Sequence, residues 1–433
     1  MPKRPLIPSN TLTYTQQSPP FPITNLIFTA DPSNNNHSDH TLDPKQFLFP
    51  ENNSSSKSEL PYLLQAVAEA QILRRPSAIV YCESNFGKVD GKTANGLSRH
   101  SETYKIESII DSDKAGRDAG MELDGKLNGI PICHDLADSL TRSDCIPDFY
   151  IFGMAPSSGM LSTHERGLIF EAMALGMNIV NGLHEFLNDD AEMLAASQLN
   201  KVQILDIRKP RAKKDLRLFS GAIKAVTCPR IAVLGTDGAI GKRTTATILT
   251  RALNDQGIKA ILISTGQTGL IQGSRYGVAL DAIPSQFCSG EMEASIVEAF
   301  TNEQPDVIII EGQGALSHPA YLSSSFILRG SQANAVVLQH APGRKQRCDF
   351  ENEPMPTPAS EINLIQTFAN TKVIGMTLNH EFMSDQAMDD AITDYEKEFN
   401  FTVTDALTRP AQHLVDMVLN AFPELEEKLA VAV

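Results

Sequence analysis

The chain has 433 residues, enough for two domains of ordinary size, and its 42% hydrophobic and 21% charged residues describe a soluble globular protein. A formal net charge of -15 argues against the basic surface that DNA or RNA binding needs, and leaves room for a small anionic ligand in a local positive pocket. Six scattered cysteines form no C-x-x-C pair, and neither a membrane-length apolar run nor a signal-type stretch appears, so a cytoplasmic protein with no metal, membrane or nucleic-acid partner is expected.

Residues 1–60 are rich in Ser, Pro, Asn and Thr and read as a partly disordered extension, interrupted by the apolar pieces Leu26–Phe28 and Phe47–Phe49. Residues 61–210 read as a Rossmann-like α/β domain. Short apolar runs at Ala78–Tyr81, Ile106–Asp111, Ile130–Ile132, Phe149–Gly153, Asn178–Val180 and Val202–Ile207 alternate with helical candidates such as Leu136–Leu140, Glu165–Leu175 and Asp190–Gln198. That alternation predicts a parallel sheet covered on both faces, with ligands beyond the carboxyl ends of the strands. Residues 211–229 form a connector. The basic cluster Arg208–Lys214 leading into it is read as solvated linker, with phosphate contact as the alternative.

Residues 230–433 read as a P-loop NTPase-like α/β domain. Its first strand, Ile231–Leu234, runs into GTDGAIGKRTT and a helical segment from Thr244 to Asn254. Gly235, Gly238 and Gly241 let backbone N–H groups converge on one anion at a helix N-terminus, and Lys242 adds a full charge within reach of a phosphate oxygen. Two departures from G-x-x-x-x-G-K-[ST] stand out. Five residues separate Gly235 from Gly241, and Arg243 follows the lysine, so the hydroxyl that normally holds magnesium is displaced to Thr244 or lost. Further strands are expected at Ala260–Ser264, Val307–Ile310, Ala335–Leu338, Val373–Thr377 and Phe401–Thr404, before a helical tail over 410–429.

Polar residues follow several of these strands. The run from Ser264 to Gly269 includes Gln267 and Thr268; Glu311 and Gln313 precede His318; Gln339-His340 leads to Arg344; and Asn379-His380 ends a strand. Glu311 sits where a phosphate-loop enzyme often has an acid acting through metal or water, and is equally a candidate for a buried acid held by backbone N–H groups. His318 is read as a general base or as the cap of the adjacent turn. Arg344 suits a bidentate contact with a substrate carboxylate, against a solvated basic loop. In the first domain Lys92, Arg117 and His184 are pocket-edge candidates. The chain has no H-E-x-x-H and no G-x-S-x-G, so metalloprotease and serine-hydrolase chemistry fit poorly.

GTDGAIGK with the later EGQG resembles the dethiobiotin-synthetase branch of phosphate-loop proteins. A closer resemblance is to a two-domain family formerly of unknown function whose assigned activity is D-glutamate N-acetyltransferase. It is carried from about Ala78 to Asn379 by Lys92-Thr93-Ala94, Asp111, the segment Gly116–Gly120, Gly153–Pro156, Gly182-Leu183-His184, Asp206–Pro210, Gly235-Thr236-Asp237, Gly241-Lys242, Thr265–Gly269, Glu311–Gly314, His318-Pro319, Gly330-Ser331, Arg344 and Asn379. Gln286 departs from the family's usual acid at that position.

The resemblance implies transfer of acetyl from acetyl-CoA, as co-substrate, to the amino group of D-glutamate. Gly235, Thr236, Asp237, Gly238, Gly241, Lys242 and Thr244, with Gln267 and Thr268, would hold the phosphates of coenzyme A. Arg344, with Gln313, His184 and Arg117, would bind the amino acid, and Glu311 or His318 would take the proton. Small-molecule substrates are the implied partners, and a homo-oligomer is compatible with the sequence. Two rivals stand beside this reading: an ATP- and magnesium-dependent ligase or kinase-like enzyme, and a nucleotide- or CoA-binding protein without turnover.

Overall fold

Strand β1 (Ser77–Tyr81) is buried along its whole length, which only a sheet covered on both faces allows. The chain then runs through α1 (Lys92–Arg99), β2 (Lys105–Ile110), α2 (Ala119–Asp124), β3 (Ile132–Cys133), α3 (Leu136–Thr141), β4 (Phe149–Phe152), α4 (Thr163–Ala174), β5 (Asn178–Asn181), α5 (Ala191–Asn200) and β6 (Ile204–Asp206). The strands lie in the order β3-β2-β1-β4-β5-β6 and every pairing is parallel. This is the Rossmann-like arrangement, with its topological switch between β1 and β4. The computed structural model describes residues 74–429 apart from Ser157 and Asp349, so the expected N-terminal extension lies outside the described residues.

The second sheet begins with β7 (Arg230–Gly235), followed by α6 (Lys242–Asp255), β8 (Ala260–Ser264), α7 (Gln267–Gln272), β9 (Tyr276–Gly277), α8 (Ser285–Glu303), β10 (Val307–Glu311), α9 (Ser323–Ser331) and β11 (Ala335–His340). A small antiparallel pair, β12 (Gln346–Arg347) and β13 (Phe350–Pro354), then precedes α10 (Pro358–Phe368), β14 (Lys372–Leu378), α11 (Asp385–Phe399), β15 (Val403–Thr404), α12 (Gln412–Ala421) and α13 (Glu426–Leu429). The main sheet has the order β15-β14-β11-β7-β10-β8-β9, again all parallel. Strand side chains alternate between faces, and the two cores show it. Ala232, Leu234, Ile308 and Ile310 pack on one side, and Ile231, Val233, Val307 and Ile309 on the other. The phosphate-loop strand is therefore held from both faces, and the loop leaves from the middle of the sheet.

Two helices and a strand pair escape the sequence pattern. Helix α8 starts after Pro284 with no side-chain cap and buries Glu291 and Glu293, so it carries no clean apolar stripe. Helix α1 is short and mostly polar. The β12–β13 pair is too brief and too charged to show alternation. The basic connector also differs from a solvated linker. Lys213 and Lys214 are exposed, but Arg208 is buried and bridges the Gly182 carbonyl to Asp281 Oδ2 at 2.8 Å. Downstream, Arg217 is bound by Glu291 (2.8 Å), while Ser220 and Ile223 donate to Glu293. No helix among the described residues is long and apolar enough to cross a membrane.

Candidate functional site

Helix α6 opens on Gly241, whose φ of 106° lies in the left-handed region, and no side chain caps the helix. Its first N–H groups are thus left for a ligand. Lys242 is 5% exposed and its Nζ donates to the Asp237 carbonyl. Burial pushes this ammonium down to about 8, against the pull of Asp237 and Glu311.

The loop is clamped from the neighbouring strands. Thr236 donates its N–H to the Gln339 carbonyl (3.1 Å) and pairs its hydroxyl with His340 Nδ1 (2.9 Å). Thr245 Oγ1 donates to Gln339 Oε1 at 2.6 Å, and Asn379 Nδ2 to the Ile240 carbonyl at 3.1 Å. Thr244, half-buried, lines a narrow cleft on this flank with Asn379, His380 and Asp405. There His380 Nδ1 lies 2.7 Å from Asp405 Oδ2, a pair that motif reading gave no signal for.

Arg344, expected on a substrate carboxylate, is committed to the loop itself. Its Nη1 donates to Asp237 Oδ2 and the Gly238 carbonyl, both at 2.9 Å, and its Nε to Glu381 Oε1 at 2.6 Å. The structural reason is Asp237, fully buried at the loop and in need of a counter-charge. The Cys348 N–H also donates to Asp237 Oδ2, at 2.6 Å.

His318 is buried and stacks on Tyr321 with ring centroids 4.4 Å apart. Its Nδ1 accepts from the N–H groups of Ala320 and Tyr321, both at 3.2 Å. That pattern puts the proton of the neutral ring on Nε2, which lies 3.8 Å from Asp237 Oδ1. The turn-cap reading describes this ring: both N–H groups of the turn fall on Nδ1.

Glu311 ends β10 beneath the loop. Its Oε2 accepts from the Thr265 N–H at 3.1 Å, and burial raises its carboxyl above the ordinary range while Arg243 and Lys242 pull it back. Gln313 Nε2 donates to the Thr265 carbonyl at 2.6 Å. Lys242, Glu311, Thr265 and Gln313 thus form one arc along the carboxyl ends of β7, β8 and β10.

The arc continues into the seam between the two sheets. Arg243 Nη1 donates to Gln272 Oε1, and Gln272 Nε2 donates in turn to the carbonyls of Gly96 and His100, each at 2.8 Å. Thr268 Oγ1 and Thr93 Oγ1 are 2.8 Å apart. His184 is half-exposed on the first-domain side, 3.8 Å from Asp281. Arg117 is elsewhere: it is 60% exposed and pairs with Glu122 of α2 at 2.8 Å, because the turn it occupies faces solvent. Asp281 and Gln272 belong to no motif, and only the structure reveals their part in the seam.

Comparison with known proteins agrees with this architecture. The domain of unknown function DUF1611, described as a P-loop domain, matches residues 217–415, and its N-terminal Rossmann-like partner domain matches residues 112–210. A D-glutamate N-acetyltransferase of Pseudoalteromonas sp is 35% identical over 242 residues, which cover 54% of this chain and 70% of that protein. Another, from Tritonibacter scottomollicae, is 26% identical over 273 residues, covering 61% and 79%. The crystal structure of a DUF1611 family protein from Anabaena variabilis superposes with a TM-score of 0.73 at 30% identity, over 80% of this chain and 99% of that one.

Proposed function

The chain belongs to the two-domain DUF1611 family, and on that premise we propose that it is an N-acetyltransferase moving acetyl from acetyl-CoA to the amino group of D-glutamate, in D-amino-acid metabolism. The two similar proteins bearing that activity in their names support the reaction class. The observation that carries the reading is the fate of Arg243. The loop offers Lys242 and an uncapped helix end to an anion, yet the side chain at the magnesium-hydroxyl position is drawn into the seam by Gln272. Such a cradle suits a co-substrate held by its phosphates and reacting elsewhere, as a thioester of coenzyme A does.

Transfer forms a C–N bond as the amine attacks the thioester carbonyl, and breaks the C–S bond as coenzyme A leaves as thiolate. The incoming ammonium must first shed a proton. Glu311 fits that task, being a buried carboxylate with a raised proton affinity beside the cradle. Lys242 and the N–H groups of α6 anchor the phosphates, and alignment of the two reactants supplies much of the acceleration.

The test is to incubate purified protein with acetyl-CoA and D- or L-glutamate, separating free coenzyme A and N-acetylglutamate by chromatography. Product from D-glutamate without ATP or magnesium is expected. Magnesium-dependent ADP release, with no acetylated product, would sink the proposal and favour the ligase or kinase-like rival.

A further inference from the structure

Ser264 closes β8 and is fully buried, and its Oγ makes no well-formed hydrogen bond among the described residues. A buried hydroxyl in that state is costly, and native folds keep few of them, chiefly beside reacting groups or where a water or ion completes them. The group beside this one is Glu311. A Cβ built at Gly269 would lie 2.2 Å from Ser264 Oγ and 2.8 Å from Glu311 Oε2, so hydroxyl and carboxylate flank one point that a glycine leaves open.

The surroundings hold the pair in place. The Val278 N–H donates to the Ser264 carbonyl at 2.8 Å, which pins the backbone that carries the hydroxyl. The next residue, Thr265, gives its N–H to Glu311 Oε2 (3.1 Å) and its hydroxyl to the Glu311 carbonyl (3.0 Å). Burial raises the proton affinity of Glu311, while Arg243, the Thr265 N–H, the Ser264 hydroxyl and Lys242 act against it. Both cations come from α6. The facing turn of α7 carries no ionisable residue, and β7 sets Val233 opposite Glu311.

A backbone N–H can only donate, so Thr265 serves the carboxylate but not the acid. A hydroxyl rotates, donating to the carboxylate before proton transfer and accepting from the carboxylic acid after it. We propose that Ser264 is a positioning residue, whose hydroxyl orients the Glu311 carboxylate toward the ammonium proton and holds the acid once that proton has moved. The proton passes from the ammonium to Glu311, and the serine keeps its own. The proposal rests on the acetyltransferase reading, with Glu311 as the acceptor.

The test uses the full chain with Ser264→Ala. The acid limb of kcat should move up by about half to one pH unit, because a hydroxyl favours the ionised carboxylate over the acid. The KM for acetyl-CoA should stay within about twofold, and the urea midpoint should not fall, since the lost group had no well-formed bond. Ser264→Cys, with a weaker donor, should fall between the two. A lowered midpoint with the limb in place marks a structural serine and overturns the proposal. Infrared titration of the Glu311 carboxyl band, with Glu311→Gln as the blank, separates the proposal from the reaction it rests on. A band that titrates higher in Ser264→Ala, when the wild type transfers no acetyl, keeps the contact and rejects the reaction. Transfer with an acid limb that Glu311→Gln abolishes and Ser264→Ala leaves unmoved keeps the reaction and rejects the contact. Should Ser264→Ala fail to fold by circular dichroism, Ser264→Cys carries the same readouts.

Discussion

Arg243 and Gln272 are bonded side chain to side chain, and through the carboxamide of Gln272 the phosphate-loop helix reaches the carbonyls of Gly96 and His100 in the other domain. The residue that departs from the usual phosphate-loop pattern is therefore part of the domain seam. The fit is close: a Cβ at Gly96 would lie 2.7 Å from Arg243 Nη2. Gly96→Ala is expected to destabilise the protein by about 1–3 kcal/mol through overpacking, read by urea unfolding. Arg243→Thr, which rebuilds the pattern, should lower stability and leave acetyl transfer indifferent to magnesium. An unchanged midpoint for both variants would dismiss the coupling.

Arg344 braces the loop through Asp237 and two of its carbonyls, Gly238 and Ala239. Arg344→Lys keeps the charge but loses the planar fork that serves several acceptors at once. Its effect should fall on the phosphate-bearing substrate, with the KM for acetyl-CoA rising about tenfold and the KM for D-glutamate little changed. The opposite pattern would restore the expectation that Arg344 binds the acceptor's carboxylate.

Lys242 keeps an ammonium buried in the loop at a cost to stability. Its ammonium is pushed down to about 8 from the ordinary 10.5, so the folded state binds this proton less tightly than the unfolded chain. Below pH 8 both states are protonated and the fold bears the full cost of a buried charge. Between about pH 8 and 10.5 the unfolded chain holds more protons, so this contribution to stability improves as pH rises. Lys242→Met should therefore be more stable than wild type near neutrality, by about 1–3 kcal/mol, with the advantage shrinking from pH 8 upward. Thermal melts across pH measure it. The variant should also lose acetyl-CoA affinity, since a neutral side chain cannot pair with a phosphate.

Glu311 has the opposite sign. Burial raises its carboxyl, so its basic form is lost at a higher pH than for an ordinary glutamate. The acid limb of kcat should lie correspondingly high, and Glu311→Gln should lower kcat about a hundredfold or more while abolishing that limb. A structural role alone would reduce stability and leave the shape of the pH profile intact.

Much of this architecture was legible because both sheets are parallel and buried: Ile231–Leu234, ended by Gly235, and Val307–Ile310, ended by Glu311-Gly312, read as buried strands. The cradle was legible because its residue types are set by phosphate chemistry. What escaped was partner choice. In sequence Arg344 reads as a contact for a substrate carboxylate and Arg208 as part of a solvated linker, yet each is claimed by a buried or half-buried acid remote in the chain, Asp237 at 107 positions and Asp281 at 73. For His318 the turn-cap reading was open in sequence, and the folded turn presents the two backbone N–H groups that Nδ1 accepts. Glu311 is read from its place at a strand end and Lys242 from its place in the glycine-rich loop, and their perturbed proton affinities come from packing that no spacing rule contains.

Ala239 takes a φ of 50° inside the phosphate loop, in the left-handed region where a β-carbon meets the backbone. Arg344 donates to its carbonyl and to that of Gly238, so the guanidinium holds the strained turn in place. Ala239→Gly removes the clash but gives the unfolded chain more freedom, and the two effects nearly cancel, leaving a change within about 1 kcal/mol. Function should respond more than stability. A loop free to leave this conformation is less organised around its anion, so the KM for acetyl-CoA should rise severalfold with kcat retained. Combining Ala239→Gly with Arg344→Lys should then cost more in that KM than the product of the single effects, because each removes what restrains the other's segment. Strictly multiplicative effects would show that the arginine and the strained residue act independently.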